Sequence, residues 1–367
     1  MSRKVYVHVG APKTGTTYLQ DRLARNAKSL AAHDVHIPSR APLMSTPMFH
    51  FRAALDLMGQ DWGGTPGHAE GSWDALVRRV RRAGGSSIFS HEILAPAEAE
   101  HVARLKRDLD VGGETELHIV YSARDLARQA PAGWQESVKQ GRRWKFGRYL
   151  SRVRSGRPWF ARAFDLPQVL TTWGNGLAPE QVHVVTVPQN AAAEADPDLL
   201  WRRLCTAFAI EPEWAPEDSD RTNASLGSAE TQVLRALNER IGRSTRDNPG
   251  YDALILGMLA DESLGGRRSR PILLPPKFHD WARERAEGWG EWLEQSGVHV
   301  VGDAAELLPE PWPEGEKFRH PDRVSNKAQL RAALDALAAM TEEAASRPDP
   351  DASMLARIRR AREANKR

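Results

Sequence analysis

Val5-Tyr6-Val7-His8-Val9-Gly10-Ala11-Pro12-Lys13-Thr14-Gly15-Thr16-Thr17-Tyr18-Leu19-Gln20 is the stretch from which the fold of this chain is read. A short apolar run rich in β-branched residues breaks at Gly10 into a Gly, Pro, Lys and Thr loop. A periodic helix follows, with Leu19, Leu23, Ala27 and Leu30 on one face. Strand, tight loop and helix amino-terminus together form a device for holding a phosphate-like anion. Loop amides converge on the ligand, the helix dipole favours negative charge, and glycine lets the backbone approach closely.

Outward from this unit, further strand-like runs occupy 34–37, 86–90, 117–122 and 182–187, and amphipathic stretches at 73–82, 97–109 and 199–208 lie between them. Alternation of this kind predicts an α/β fold, a parallel sheet flanked by helices on both faces. Ligands of such sheets sit beyond the carboxyl ends of the strands. Lys13, the His91-Glu92 pair, the 122–128 stretch and the segment after Val187 are therefore the places to expect chemistry.

One α/β domain is expected over 1–308, with irregular insertions at about 44–71 and 140–162. The first suits the lining of an acceptor cleft. The second is rich in Arg, Trp and Phe, a mixture that suits a sugar or aromatic acceptor as well as ordinary surface packing. Helical periodicity returns over 229–259 and 281–293, and 298–301 reads as a short strand. A Pro/Gly/charge-rich linker at 309–326 leads to a helical carboxyl-terminal extension, 327–367, made of an Ala/Leu-rich helix at 327–345 and a short basic helix at 354–366.

The chain has 367 residues, 41% hydrophobic and 27% charged, which reads as globular, and 51 basic against 48 acidic residues leave a net charge of only +3. So even a balance argues against nucleic acid as partner. With one cysteine, Cys205, no intrachain disulfide forms, and its setting on an apolar helix face reads as a packed thiol. No apolar run reaches the length of a membrane span, and the amino-terminal run is a strand rather than a signal sequence, so a cytoplasmic location is expected. No ligand spacing for a metal is present.

From Gly10 to Thr17 the spacing is G-x-x-x-x-G-T-T, one residue from a Walker A loop: Thr16 stands where a nucleotide triphosphatase carries lysine, and the lysine comes earlier, at Lys13. Pro12-Lys13-Thr14-Gly15-Thr16-Thr17 after a first strand closely resembles the 5′-phosphosulfate loop of sulfotransferases that use 3′-phosphoadenosine 5′-phosphosulfate (PAPS). Trp134-Gln135-Glu136-Ser137-Val138-Lys139, the strand at 182–187 with Pro188, and Arg221-Thr222-Asn223-Ala224-Ser225-Leu226-Gly227 are similar to segments of bacterial, actinobacterial sulfotransferase-like proteins. The resemblance implies a P-loop-type sulfotransferase fold and PAPS as co-substrate. Gly10, Pro12, Lys13, Thr14, Gly15, Thr16 and Thr17 would hold the phosphosulfate, and Lys13 would stabilise charge on the leaving oxygen.

The same resemblance makes Arg124, delivered by the strand at 117–122, the grip on the 3′-phosphate. The family usually carries a serine eight residues later, where this chain has Ala132; Ser122, Arg128, Gln129 and Ser137 are candidates to compensate. After the strand at 86–90, Ser90-His91-Glu92 places a general base where the family keeps one, with Glu92 favoured, His91 second, and a helix-capping Ser-x-Glu as the non-catalytic reading. The expected activity is sulfuryl transfer to a hydroxyl or amine of a small molecule, glycan or lipid headgroup, without a metal. The alternatives are a P-loop kinase or NTPase, or a nucleotide-binding member without catalysis.

Overall fold

The computed structural model describes residues 3–62, 64–221, 225–246, 249–267, 269–312, 315 and 317–347. Its centre is a sheet of six strands, β1 (Arg3–His8), β2 (Val35–His36), β3 (Ser86–Ser90), β4 (Thr115–Ala123), β5 (Val182–Thr186) and β6 (His299–Val301). The order is β2-β3-β1-β4-β5-β6 and every pairing is parallel. The α/β class read from the strand and helix alternation is the one observed.

Helices α1 (Thr16–Arg25), α2 (Thr46–Leu57), α3 (Ser72–Arg82), α4 (Ala99–Asp108), α5 (Leu126–Lys139), α6 (Phe146–Arg154), α7 (Leu166–Gly174), α8 (Leu199–Phe208), α9 (Ser228–Arg240), α10 (His279–Ser296) and α11 (Asn326–Ser346) surround it. Alternate residues of β1 serve opposite faces, as the period of two requires. Tyr6 joins Leu19 and Leu23 of α1 and Trp201, Leu204 and Phe208 of α8 in one core. Val5 and Val7 join Phe49, Trp73, Trp134 and Trp173 in the other. The neighbours β1 and β4 thus send α1 and α5 to opposite faces, which opens a crevice between their carboxyl ends.

Several expectations shift in detail. The face carrying Leu19 to Leu30 is broken at Asn26, whose side-chain amide donates to the carbonyls of Arg22 and Glu217 at 2.8 and 2.7 Å. Both insertions expected to be irregular contain helix. In α2, Phe49, Ala53 and Leu57 are buried, and in α6 Phe146, Tyr149, Leu150 and Val153 fall at helical spacing and are buried. The helix expected over 229–259 is divided into α9 and a wide-turned π segment, Ala253–Ser263. Asp322, in the segment expected to be a linker, accepts from the Phe146 amide at 3.0 Å and from Gln232 at 3.0 Å, so this stretch is tied to the body. α11 is docked by Ala332 and Ala336, which are buried, and by an ion pair between Asp335 and Arg267. The expected basic helix at 354–366, and Asn223, lie outside the described residues.

Candidate active site

The loop after β1 is stitched to β4. The Ala11 amide donates to the Ser122 carbonyl at 2.8 Å, and the Ser122 amide donates to the Gly10 carbonyl at 2.6 Å. Gly10 has φ 117°, and a Cβ there would stand 3.4 Å from the Cα and Cβ of Glu92. Glycine is required by the backbone here, and Glu92 lies directly against it. Gly15, at φ 91°, caps α1. Among the described residues the amides of Gly15, Thr16 and Thr17 meet no acceptor, as befits the open first turn of a helix.

Lys13 lies at the crest with φ 66°, a left-handed conformation unusual for a residue with a side chain. Two residues from the β4–α5 region hold it there. Arg124 Nη1 donates to the Lys13 carbonyl at 3.1 Å, and Gln129 Nε2 donates to the Pro12 carbonyl at 3.0 Å. The Lys13 ammonium itself donates to Glu136 Oε2 at 3.1 Å. Burial opposes ionisation of Glu136, but the charges of Lys13 and Lys139 and hydrogen bonds from Lys13 and Gln140 outweigh it, and the carboxyl is held below its ordinary range.

The threonines divide their work. Thr14 and Thr16 are buried and their hydroxyls donate to the Ala11 carbonyl at 2.5 and 3.4 Å, closing the loop on itself. Thr17, on the first turn of α1, is exposed.

Arg124 is a guanidinium short of an anion. Its Nε is buried with no hydrogen-bond partner among the described residues. Burial, reinforced by Arg128 and opposed by Asp125, lowers its pKa to about 10. Asp125 is already committed: its carboxylate accepts from the Arg128 amide at 2.9 Å, which caps α5, and pairs with the Arg128 guanidinium.

Of the proposed substitutes for the serine replaced by Ala132, Gln129 is the one whose side chain donates to the loop among the described residues, at the Pro12 carbonyl. Ser122 Oγ is buried against His8 Nε2 at 2.9 Å. Arg128 also donates to the carbonyls of Pro188 and Val187 at 2.8 and 3.3 Å and to Asn190 Oδ1 at 3.4 Å, and Ser137 Oγ donates to the Trp134 carbonyl at 2.7 Å. Gln129, Ala132 and Glu136 share one face of α5 by their spacing of three and four. Glu136, one turn past Ala132, is the residue that reaches Lys13; sequence reasoning missed it, although its seven-residue offset from Gln129 is a legible signal.

On the β3 side, His91 Nδ1 accepts from the Ile93 amide at 3.3 Å and caps the 3-10 turn Glu92–Leu94. The cap is His91 rather than Ser90, whose hydroxyl is engaged by His8 Nδ1 at 2.9 Å. Burial lowers the His91 pKa against the opposing charge of Glu92, so the ring is neutral near pH 7. In that neutral ring, with Nδ1 accepting, the proton sits on Nε2, which has no lone pair for another. Glu92 is half-buried, and among the described residues its Oε2 accepts only a long 3.5 Å contact from Gln20, whose amide also donates to the Ser90 carbonyl at 3.0 Å. Glu92 is the group with a free basic site.

Cys205 is buried and its thiol is pushed up to about 12 by burial, with Arg22 opposing, which suits a packed side chain. Among the described residues no group of His, Cys, Asp and Glu is arranged for a metal ion, and no helix is long and apolar enough to cross a membrane.

With this geometry in place, similarity to known proteins adds one structure. The chain is similar to the crystal structure of a sulfotransferase from Alicyclobacillus acidocaldarius, with 18% identity over 67% of this chain and 100% of that one, at a TM-score of 0.35. No protein-family model matches the chain, and no curated protein matches it.

Proposed function

We propose that this protein transfers the sulfuryl group of PAPS to a hydroxyl or amine of an acceptor by in-line displacement. The observation that carries the reading is Arg124, a desolvated guanidinium lacking an anion, hydrogen-bonded to the carbonyl of the lysine in an anion-holding loop. A donor with two anionic ends, a 5′-phosphosulfate and a 3′-phosphate, supplies one to the loop and one to Arg124. The residues fit that group: the open amides at Gly15, Thr16 and Thr17, the Lys13 ammonium and the unpartnered Arg124 Nε are all donors.

In the proposed reaction the acceptor oxygen or nitrogen attacks sulfur, and its proton passes to the Glu92 carboxylate. The bond from sulfur to the bridging oxygen breaks, and adenosine 3′,5′-bisphosphate leaves. Lys13 stabilises the charge that collects on that bridging oxygen. His91 fixes the turn that carries Glu92, and Thr14 and Thr16 hold the loop in shape. Location in the cytoplasm, where such a donor is made, belongs to the same reading.

A kinase or NTPase reading is less well supported, because Thr16 occupies the position of the phosphate-binding lysine. The two are separated by thermal shift. Stabilisation by adenosine 3′,5′-bisphosphate, and none by ATP with magnesium, supports sulfuryl transfer; the reverse pattern ends it. Transfer of labelled sulfate from PAPS to an acceptor panel then distinguishes an enzyme from a binding protein.

A further inference from the structure

Helix α11 has two unlike faces. It packs on α9 and on the π segment Ala253–Ser263, and its buried residues are Ala332 and Ala336. Away from that face Leu330, Leu334, Leu337 and Met340 are exposed, the three leucines by more than half. Among the described residues eight large apolar side chains are exposed, and these are four of them. Scattered singly, such residues are ordinary. Four on one side of one helix form an unpartnered apolar stripe.

The spacing says what kind of surface covers it. Leu330, Leu334, Leu337 and Thr341 are separated by four, three and four residues, the repeat of a seam between two helices. Ala333, Ala338 and Ala344 flank the seam, and small side chains there let a second helix approach closely.

Charge says which helix. Asp335 pairs with Arg267 and Glu343 with Arg347, both within the chain. Lys327, Arg331 and Glu342 are exposed and have no ion-pair partner among the described residues. By helical spacing all three lie on the same flank of the stripe, the cations toward its amino-terminal end and the carboxylate toward its carboxyl-terminal end. A helix so arranged is complementary to itself turned end for end. An antiparallel copy sets Leu334 against Leu337 and Leu330 against Thr341, about a two-fold axis level with residues 335 and 336. The same register brings Lys327 and Arg331 of one copy beside Glu342 of the other, twice over. A parallel copy would set like charges together.

We propose that the exposed face of α11 is a self-association surface, on which a second copy of this chain docks its own α11 in antiparallel register. The contact is isologous, so it closes at two copies. One helix pair covers less than the roughly 1,600 Å² of a standard interface, and a dissociation constant of about 1–100 µM is expected.

The test is sedimentation of the full chain from about 1 to about 300 µM, a range that spans the expected constant. A reversible monomer–dimer equilibrium should appear. Leu334→Gln with Leu337→Gln should weaken it at least about 100-fold, and because both positions are exposed, melting measured in dilute protein should not change. Arg331→Glu and Glu342→Arg should each weaken it about tenfold, and the two together should recover wild-type association. That recovery is particular to antiparallel pairing and does not depend on the leucine variants. A monomer across the whole range overturns the proposal, whether residues 348–367 cover the leucines or nothing does. So does a dimer that survives the leucine substitutions, a single charge variant that associates as well as wild type, or a double charge variant that fails to recover.

Discussion

The Lys13 ammonium and the Glu136 carboxylate stand 3.1 Å apart, an ion pair that joins the loop after β1 to the helix after β4. An anionic donor that needs Lys13 must compete with this carboxylate. Glu136→Gln removes the competitor and keeps the shape. The pair is partly exposed, so about 1 kcal/mol is at stake, and affinity for adenosine 3′,5′-bisphosphate should rise about fivefold, read by calorimetry. Weaker binding in the variant would mean that Glu136 orients the lysine for the ligand instead of restraining it.

Lys13 and Arg124 should separate kinetically. Lys13 acts where charge develops, so Lys13→Ala should lower kcat by about 100- to 1,000-fold. Arg124 grips a part of the donor that does not react, so Arg124→Ala should raise the donor KM by about 10- to 100-fold with kcat little changed. Steady-state kinetics with varied PAPS decides this. Full activity in Lys13→Ala removes the loop from the mechanism.

Glu92 and His91 should respond differently as well. Glu92→Gln deletes the basic site and should reduce kcat about 100- to 10,000-fold. His91→Asn retains an acceptor for the Ile93 amide at the cap and should keep most of the activity. Equal, mild losses from both would place the base elsewhere.

Stability should fall in mild acid. His8 and His50 are buried, each in contact with a partner at both ring nitrogens, and His183 sits between His118 and His299 at 3.0 Å from each. Burial pulls His8 down to about 3, and His50 and His183 to about 4, with neighbouring histidines adding to the shift. The folded pKa values lie below the unfolded value near 6.5, so the unfolded chain takes up protons that the folded one refuses. Full stability is present above about pH 6.5 and is lost progressively toward pH 4. At pH 5 each such histidine costs about 2 kcal/mol. Urea midpoints measured between pH 4 and 8 test this, and His183→Gln should flatten the slope.

The strand ends around which the candidate site is built were legible in the sequence alone. The Gly10 to Thr17 loop, Arg124 and Glu92 each follow a strand, and strand ends are where an open parallel sheet places its ligands. The substitutes proposed for the serine missing at Ala132 illustrate the limit. Ser122, Arg128 and Ser137 were eligible by position, yet each hydroxyl or guanidinium is engaged by internal partners: His8 for Ser122, Asp125, two carbonyls and Asn190 for Arg128, and the Trp134 carbonyl for Ser137. A local string says which donors exist; it does not say which are already satisfied.

The insertions show the same division. The apolar spacing of Phe146, Tyr149, Leu150 and Val153 carries helix α6, but the Arg and Trp around it mask that period, and nothing in either insertion announces that Trp62 meets Trp159. Local order, meaning strand, loop and helix with the glycines that permit positive φ, follows from propensity, period and steric freedom, which act over a few neighbouring residues. The Lys13–Glu136 pair, the unmatched Arg124 and the ring contact of Phe51 with His91 join residues about 40 to 120 positions apart. Those depend on sheet order and on which face each connection crosses, and these are settled by burial of two cores at once.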